Sequence, residues 1–330
     1  MKQKTLVIIL GQARADKLCW SSFKKNVLEE LDADLALCVG KSSTNDNSNL
    51  FWANAKFRWE VPEYDDFGDG FDQLQKDRYG KITHWRKILQ VQNQWLGGIK
   101  AEEEHPGSGG LLIYFRAKLY DFLVKEDIIS SYQRFVITRS DFIWEIPHPK
   151  VERLNPRYLW FPYGEFYGGL TDRHVIISSE HLNAYLNLID PILHNTDQLI
   201  KEMLEYNPYP IWNLEQYILF HLKSLNIAHK VRYIPYMMFS VRKESTPTRW
   251  AEGVYDPDLD CLIKYPSEKS RTALTKKYLT DRSGKIMLFN NYLMVMILKS
   301  LFFLKKKTLY TRIRKRAKIL IRHLLGNRII

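Results

Sequence analysis

The chain opens on an unbroken apolar run, TLVIIL at 5–10, followed at once by the polar stretch GQARADK. A threonine and five apolar residues closed by a glycine read as a buried strand. The run is too short for a secretory leader, and no small-residue cleavage site follows it. Next, KLCWSSFKKNVLEEL sets Cys19, Phe23, Val27, Leu28 and Leu31 at helical spacing, and ADLALCV returns to the strand pattern. Strand, loop, helix, strand is how an open α/β sheet begins. Residues 46–80 are polar, aromatic and glycine-dotted without a steady period, which predicts an irregular excursion. Periodic apolar positions then predict helices over 82–96 and 111–124, joined by the breaker EEEHPGSGG.

RFVIT is a short buried-type strand that runs straight into RSD, while YLWF and HVII are two more strands. SSEHLNAYLNLI and NLEQYILFHLKSL read as helices, the first capped by Ser178 or Ser179 and the second by Asn213 with Gln216 three residues on. From 244 the chain turns rich in Pro, Trp and Tyr, a wrap-around segment over 244–281 that completes a globular domain of residues 1–281. The pattern predicts an α/β fold with an open, Rossmann-like mixed sheet flanked by helices.

Composition changes this picture in one place. The net charge of +12 over 330 residues suggests a nucleic-acid partner until its distribution is read. Residues 282–330 carry 13 Lys or Arg and no Asp or Glu, which leaves a globular part of net charge −1. Nucleic acid is therefore disfavoured, because no basic track continues beyond the tail. Cys19, Cys38 and Cys261 are too few and too scattered for a disulfide framework or a zinc site, so a reducing compartment is expected.

Candidate chemistry gathers at strand ends. A strand ending in Arg139, Ser140 and Asp141 places a guanidinium and a carboxylate at the carboxyl edge of the sheet, where open α/β folds bind ligands. A lone Asp141 there can hold magnesium or manganese only when a phosphate and waters complete the shell; a plain Arg139–Asp141 pair is the alternative. After the first strand, Gly11 permits close backbone approach, and Gln12 and Arg14 offer directed donors to a base or a phosphate. In GEFYGGLTDRHV at 164–175, Gly168 and Gly169 remove side chains where something must come close, and Asp172, Arg173 and His174 supply an acceptor, a cation and a titratable ring. Asp172 suits a base toward a hydroxyl, Arg173 a phosphate ligand and His174 a proton relay. Glu215 is a further candidate base, though the helix dipole alone favours an acid there. Arg249, Trp250, Lys264 and Glu268 either line a pocket or anchor a return segment; on spacing alone they read as anchors.

In their order, TRSD, PYGEFYGGLTDRHV, NLEQ, TRWAEG and KYPSE resemble the motif string of glycosyltransferases of GT-A-like fold from bacterial surface-polysaccharide (lipopolysaccharide or capsule) gene sets and some large viruses. The resemblance spans roughly residues 6–268. It implies transfer of a sugar from a nucleotide-sugar donor to a surface glycan or glycolipid. Donor-binding positions would be Gly11, Gln12, Arg14, Arg139 and Asp141. The acceptor side would hold Glu165, Gly168, Gly169, Arg173, Arg249 and Trp250, with Asp172, Glu215 and His174 catalytic. The D-x-D motif of such enzymes, which binds a divalent ion, is matched only at Asp141; Arg139 stands in place of its first Asp, and this puts metal dependence in question. A non-catalytic membrane-surface adaptor of the same fold is the competing reading.

In the tail, 286–304 is apolar but interrupted by Asn290, Asn291 and Lys299, borderline for a membrane span. Beyond it, Leu309, Ile313, Ala317, Leu320, Ile321 and Leu324 fall on one helical face, and Arg312, Arg314, Lys315, Arg316, Lys318 and Arg322 on the other. That division describes a helix lying in an anionic interface, each cation near the surface adding about 1 kcal/mol. The expectation is a peripheral protein on the cytoplasmic face of the membrane.

Overall fold

A computed structural model of the chain describes residues 4–279 except 81–82, 92–93, 102–104, 208–211 and 243–251. The apolar run forms β1, Thr5–Gly11, every residue of it buried. It lies between β2, Asp34–Gly40, and β4, Arg134–Thr138, and pairs with both in parallel. Leu6, Ile8 and Leu10 belong to the main core with residues of the helix Gly109–Lys125. Val7 and Ile9 point to the opposite face and are equally buried. A parallel strand covered on both faces has no polar positions to alternate, which is why TLVIIL is unbroken.

The sheet has seven strands in the order β3-β2-β1-β4-β7-β6-β8, with β3 at Phe57–Val61, β6 at Leu159–Pro162, β7 at Val175–Ser178 and β8 at Val231–Ile234. β7 runs antiparallel to β4 and β6; the other pairings are parallel. The expected open mixed α/β sheet is thus present. A second, four-stranded antiparallel sheet, β10-β11-β9-β5, sits beyond the carboxyl end of β4. Its strands are β5 at Phe142–Trp144, β9 at Met238–Arg242, β10 at Val254–Asp256 and β11 at Cys261–Ile263. The helix Pro266–Leu279 follows, so the described part of the wrap-around segment is a hairpin and a helix.

Two expectations need correction. Residues 46–80 are ordered rather than irregular: they hold the helix Leu50–Asn54, the edge strand β3 and the helix Phe67–Tyr79. Gly68 and Gly70 break the apparent period of that last helix, and packing explains both. A Cβ at Gly68 would lie 2.4 Å from the Arg86 guanidinium, and one at Gly70 2.9 Å from the Tyr114 ring. The helix expected over 82–96 is instead two 3-10 segments, Trp85–Gln90 and Gln94–Leu96, which bury Trp85, Ile88, Trp95 and Leu96. The helix expected over 111–124 runs from Gly109 to Lys125. Asn213 and Gln216 form the reciprocal cap of the helix Leu214–Ser224. Among the described residues no helix is long and apolar enough to cross a membrane, and the basic tail lies outside them.

His148, His174 and His221 are held neutral by burial, which pulls His148 and His221 down to about 4 and His174 well below its ordinary value. Unfolded histidine takes up a proton near pH 6.5. Between pH 6.5 and 4 the unfolded chain therefore binds protons that the folded chain does not, and stability falls as pH drops through that window. Urea unfolding monitored by tryptophan fluorescence will give a lower midpoint at pH 5 than at pH 7, with a shallower loss in His148→Gln.

Candidate active site

The carboxyl ends of β1 and β4 open into a cavity of about 580 Å³, within the range that small-molecule sites occupy. Gly11, Gln12, Arg14, Arg139, Asp141, Asp172, Arg173 and Glu215 all line it, so segments far apart in sequence converge as the motif order implied. The convergence is hydrogen-bonded. The Ser140 hydroxyl donates to the Gln12 carbonyl at 2.6 Å and accepts from the Arg14 N–H at 3.0 Å, fastening the GQAR loop to the RSD loop. Gly11 has φ +116° with nothing within 4 Å of an added Cβ, so glycine serves backbone geometry there and leaves the floor open.

Asp141 is 1% exposed. Arg139 grips it through two parallel bonds of 2.8 Å, and Arg14 stands 3.9 Å away. Burial alone would raise its carboxyl; the Arg139 charge and fork, joined by Arg14 and Lys264, overcome that and hold it well below the usual carboxylate range. Of the two readings of Asp141 open in the sequence, the one present is the pair with Arg139. Both Asp141 oxygens are committed to a guanidinium, and Arg14, Arg139, Arg173, Arg242 and Lys264 converge on the same lining. A divalent cation is repelled by such surroundings, so the residues present do not fit manganese or magnesium at Asp141.

The glycine pair answers to the protein rather than to a ligand. A Cβ on Gly169 would lie 1.9 Å from the Glu215 carbonyl oxygen, and one on Gly168 2.9 Å from the Gln216 amide. The Leu170 N–H donates to that Glu215 carbonyl at 3.0 Å. Bare glycine thus lets the start of the helix Leu214–Ser224 dock on the loop, which places Glu215 beside Asp172. Burial first, and the Asp172 charge second, raise the Glu215 carboxyl to about 7. The loop also holds two non-glycine residues in the left-handed region, Glu165 at φ 51° and Tyr167 at φ 45°, a strain of the kind that clusters at functional sites.

Several sequence candidates lie elsewhere. His174 is fully buried against Trp144 and His148, with ring centroids 5.4 and 5.5 Å away, and does not line the cleft. It immediately precedes β7, where alternation turns its ring into the core, so it is no proton relay. Glu165 likewise is off the cleft: it accepts from Tyr167 and Ser267 at 2.8 Å and from Arg271 at 3.3 Å, tying the loop to the helix Pro266–Leu279. Arg249 and Trp250 lie outside the described residues. Arg173 is on the cleft, but its charge is met by Glu268, fully buried, at 2.5 Å. Glu268 also accepts from Tyr236 at 3.0 Å and from the Ser240 N–H at 2.7 Å, so it is an anchor, as spacing suggested.

Lys264, which on spacing read as an anchor, lines the cleft instead, and other lining residues went unnoticed in the sequence: Arg116, Arg242, Tyr265, and Gly107 to Gly109 at the start of the helix Gly109–Lys125. Arg116 is 1% exposed and donates to the Asp172 carbonyl at 2.9 Å, which fixes that loop from below. The breaker EEEHPGSGG was the available signal for the helix start, since an N-terminus facing a cleft is a place for anions. Nothing local marked Arg116.

No family model matches the chain, and no curated protein matches it. Among solved structures it is similar to mouse xyloside xylosyltransferase 1, at a TM-score of 0.37 and 9% identity over 70% of this chain and 85% of that one. It is similar also to the galactosyltransferase LgtC bound to donor and acceptor sugar analogues, at 0.33 and 12% over 70% and 73%. A third, from Desulfovibrio desulfuricans and described as a nucleotide-diphospho-sugar transferase, gives 0.31 and 12% over 71% and 80%.

Asp141→Asn will leave the Arg139 guanidinium in the cleft wall without its counter-charge. Chemical denaturation will show a loss of about 3 kcal/mol, the cost of breaking one side of a buried ion pair. A stability equal to that of the parent chain would mean that the fork contributes nothing.

Proposed function

We propose that this protein is a glycosyltransferase that moves a sugar from a nucleoside-diphosphate donor to a hydroxyl of a surface glycan or a lipid-linked glycan. The observation that carries the reading is that one cleft is lined both by converging cations and by the Glu215 and Asp172 carboxylates. Arg14, Arg139, Arg173, Arg242 and Lys264 suit a diphosphate, while Glu215 and Asp172 suit an acceptor hydroxyl. The motif order described above supports the same assignment.

The chemistry asked of these groups is modest. The acceptor oxygen bonds to the anomeric carbon, and the bond from that carbon to the diphosphate oxygen breaks, its electron pair leaving with the diphosphate. The hydroxyl proton goes to a carboxylate. Glu215, raised to about 7, is the better-matched base at neutral pH, with Asp172 beside it as the charge that raises it. Holding two substrates in one closed lining supplies much of the remaining rate.

Calorimetry against a panel of nucleotide sugars tests the donor assignment; a chain that binds none of them is not a glycosyltransferase. In a transfer assay Glu215→Gln will lower kcat by about 10²- to 10⁴-fold while leaving donor affinity within about threefold. In the parent chain kcat/KM will rise through about pH 7 as Glu215 loses its proton, and in Glu215→Gln that limb will be absent.

Attachment to the cytoplasmic face of the membrane through 282–330 belongs to the same proposal, supported by the charge division of the tail. The full chain will float with vesicles containing anionic lipid and will sediment without them at raised salt. A chain ending at 281 will lose flotation and keep turnover on a soluble acceptor.

A further inference from the structure

Lys264 follows β11 and is 7% exposed, yet it lines the cleft. Its backbone N–H is fixed to the Ser240 carbonyl at 2.9 Å, and its ammonium stands 5.2 Å from the Tyr265 ring. Among the described residues that ammonium makes no ion pair. Arg242, at the end of β9, also lines the cleft, and its Nε is buried without a hydrogen-bond partner. A buried ammonium without a carboxylate partner is costly, and so is a buried Nε without an acceptor; the two on one cavity describe a place made for an anion.

The groups acting on Lys264 come from several elements. Arg139 and Asp141 lie on the β4–β5 loop, Arg173 on the loop before β7, and Arg242 on β9. Tyr265 and Glu268 belong to its own segment. Asp141 is taken by the Arg139 fork and Glu268 by Arg173, so neither carboxylate is left to the lysine. We propose that Lys264 and Arg242, brought by the second sheet to the Arg139–Asp141 edge, bind the diphosphate of the donor and neutralise it as it departs, in the place a divalent metal would otherwise take. This rests on the donor reading above and adds to it the residues that hold the leaving group and the independence from metal.

Burial, and then the neighbouring arginines, lower the Lys264 ammonium to about 7 in the empty cleft. A bound diphosphate favours the charged form, so binding above pH 7 takes up a proton, and affinity falls as pH rises from 7 toward 9. A nucleoside diphosphate is itself almost fully ionised in that range, its last phosphate pKa being about 6, so the pH series is read on the nucleotides. Glu215 also titrates near 7, so its contribution is separated by variant.

The experiment is calorimetry of the full chain with UDP, ADP, GDP and CDP, and with inorganic pyrophosphate, each with EDTA and with manganese. Binding is expected in EDTA, with affinity decreasing from pH 7 to 9 and proton uptake seen as a dependence of heat on buffer. Lys264→Met will weaken binding at pH 7 by about 10- to 100-fold. Lys264→Arg, whose charge persists at every pH, will keep the affinity and lose the pH dependence. Glu215→Gln will keep the pH dependence. Melting curves for each variant confirm folding, and Lys264→Arg carries the test if Lys264→Met does not fold. Nucleotide binding that appears only with manganese, or is unchanged in both lysine variants, overturns the inference and leaves the donor reading in place. Pyrophosphate binding in EDTA that depends on Lys264, without binding of any nucleoside diphosphate, sinks the donor reading and leaves the cation site.

Discussion

An ionised carboxylate almost out of contact with water, Asp141, sets the terms for everything around it. Its charge survives burial because Arg139 supplies both a counter-charge and two aligned donors. The pair sits where β4 ends, so the strand that buries RFVIT also fixes the position of the fork. Ser140, between the two, has its hydroxyl free to clamp the GQAR loop from β1. The Asp141 carbonyl, for its part, accepts from the Val241 N–H at 2.9 Å, joining the second sheet to the same edge. One tripeptide therefore assembles three walls of the cleft, and a change at Asp141 reaches all of them.

What could be read in advance follows from whether the cause is local. The strands β1, β2 and β4 announce themselves because both faces are covered and their central positions are all apolar. The Asn213–Gln216 cap is equally plain, since both of its bonds are made within four residues. The second sheet was not legible: β5, β10 and β11 have three residues each, too few for a period to register. Arg242 looks like an ordinary surface cation in sequence and Lys264 like an anchor, and only their neighbours in space make them cleft residues. His174 failed in the opposite direction. Its residue type promised chemistry, but the direction of its side chain is decided by its place at the start of β7.

The glycine pair shows the same limit in a subtler form. Close approach was rightly expected at Gly168 and Gly169, yet the approaching group is the carbonyl of Glu215 rather than a ligand. That contact is nonetheless what makes the site. Without it, Glu215 and Asp172 would be two acids on separate segments, each free to ionise in water. Held together and away from solvent, they cannot both carry a charge cheaply, and the Glu215 carboxyl rises to about 7.

The cleft thus contains two groups displaced toward neutrality for opposite reasons. Burial and a neighbouring acid raise Glu215, while burial and neighbouring arginines lower Lys264. Each is electrostatically unsatisfied in the empty cleft, and each would be relieved by a different end of one pair of substrates. An anion beside Lys264 restores its proton, and a hydroxyl beside Glu215 donates to the carboxylate whose basicity crowding has raised. A site built to bind anions alone would have no use for the buried acid pair. A hydrolytic pair of carboxylates alone would have no use for five converging cations. The presence of both in one lining is the physical argument for transfer between a phosphate-bearing donor and a hydroxyl acceptor.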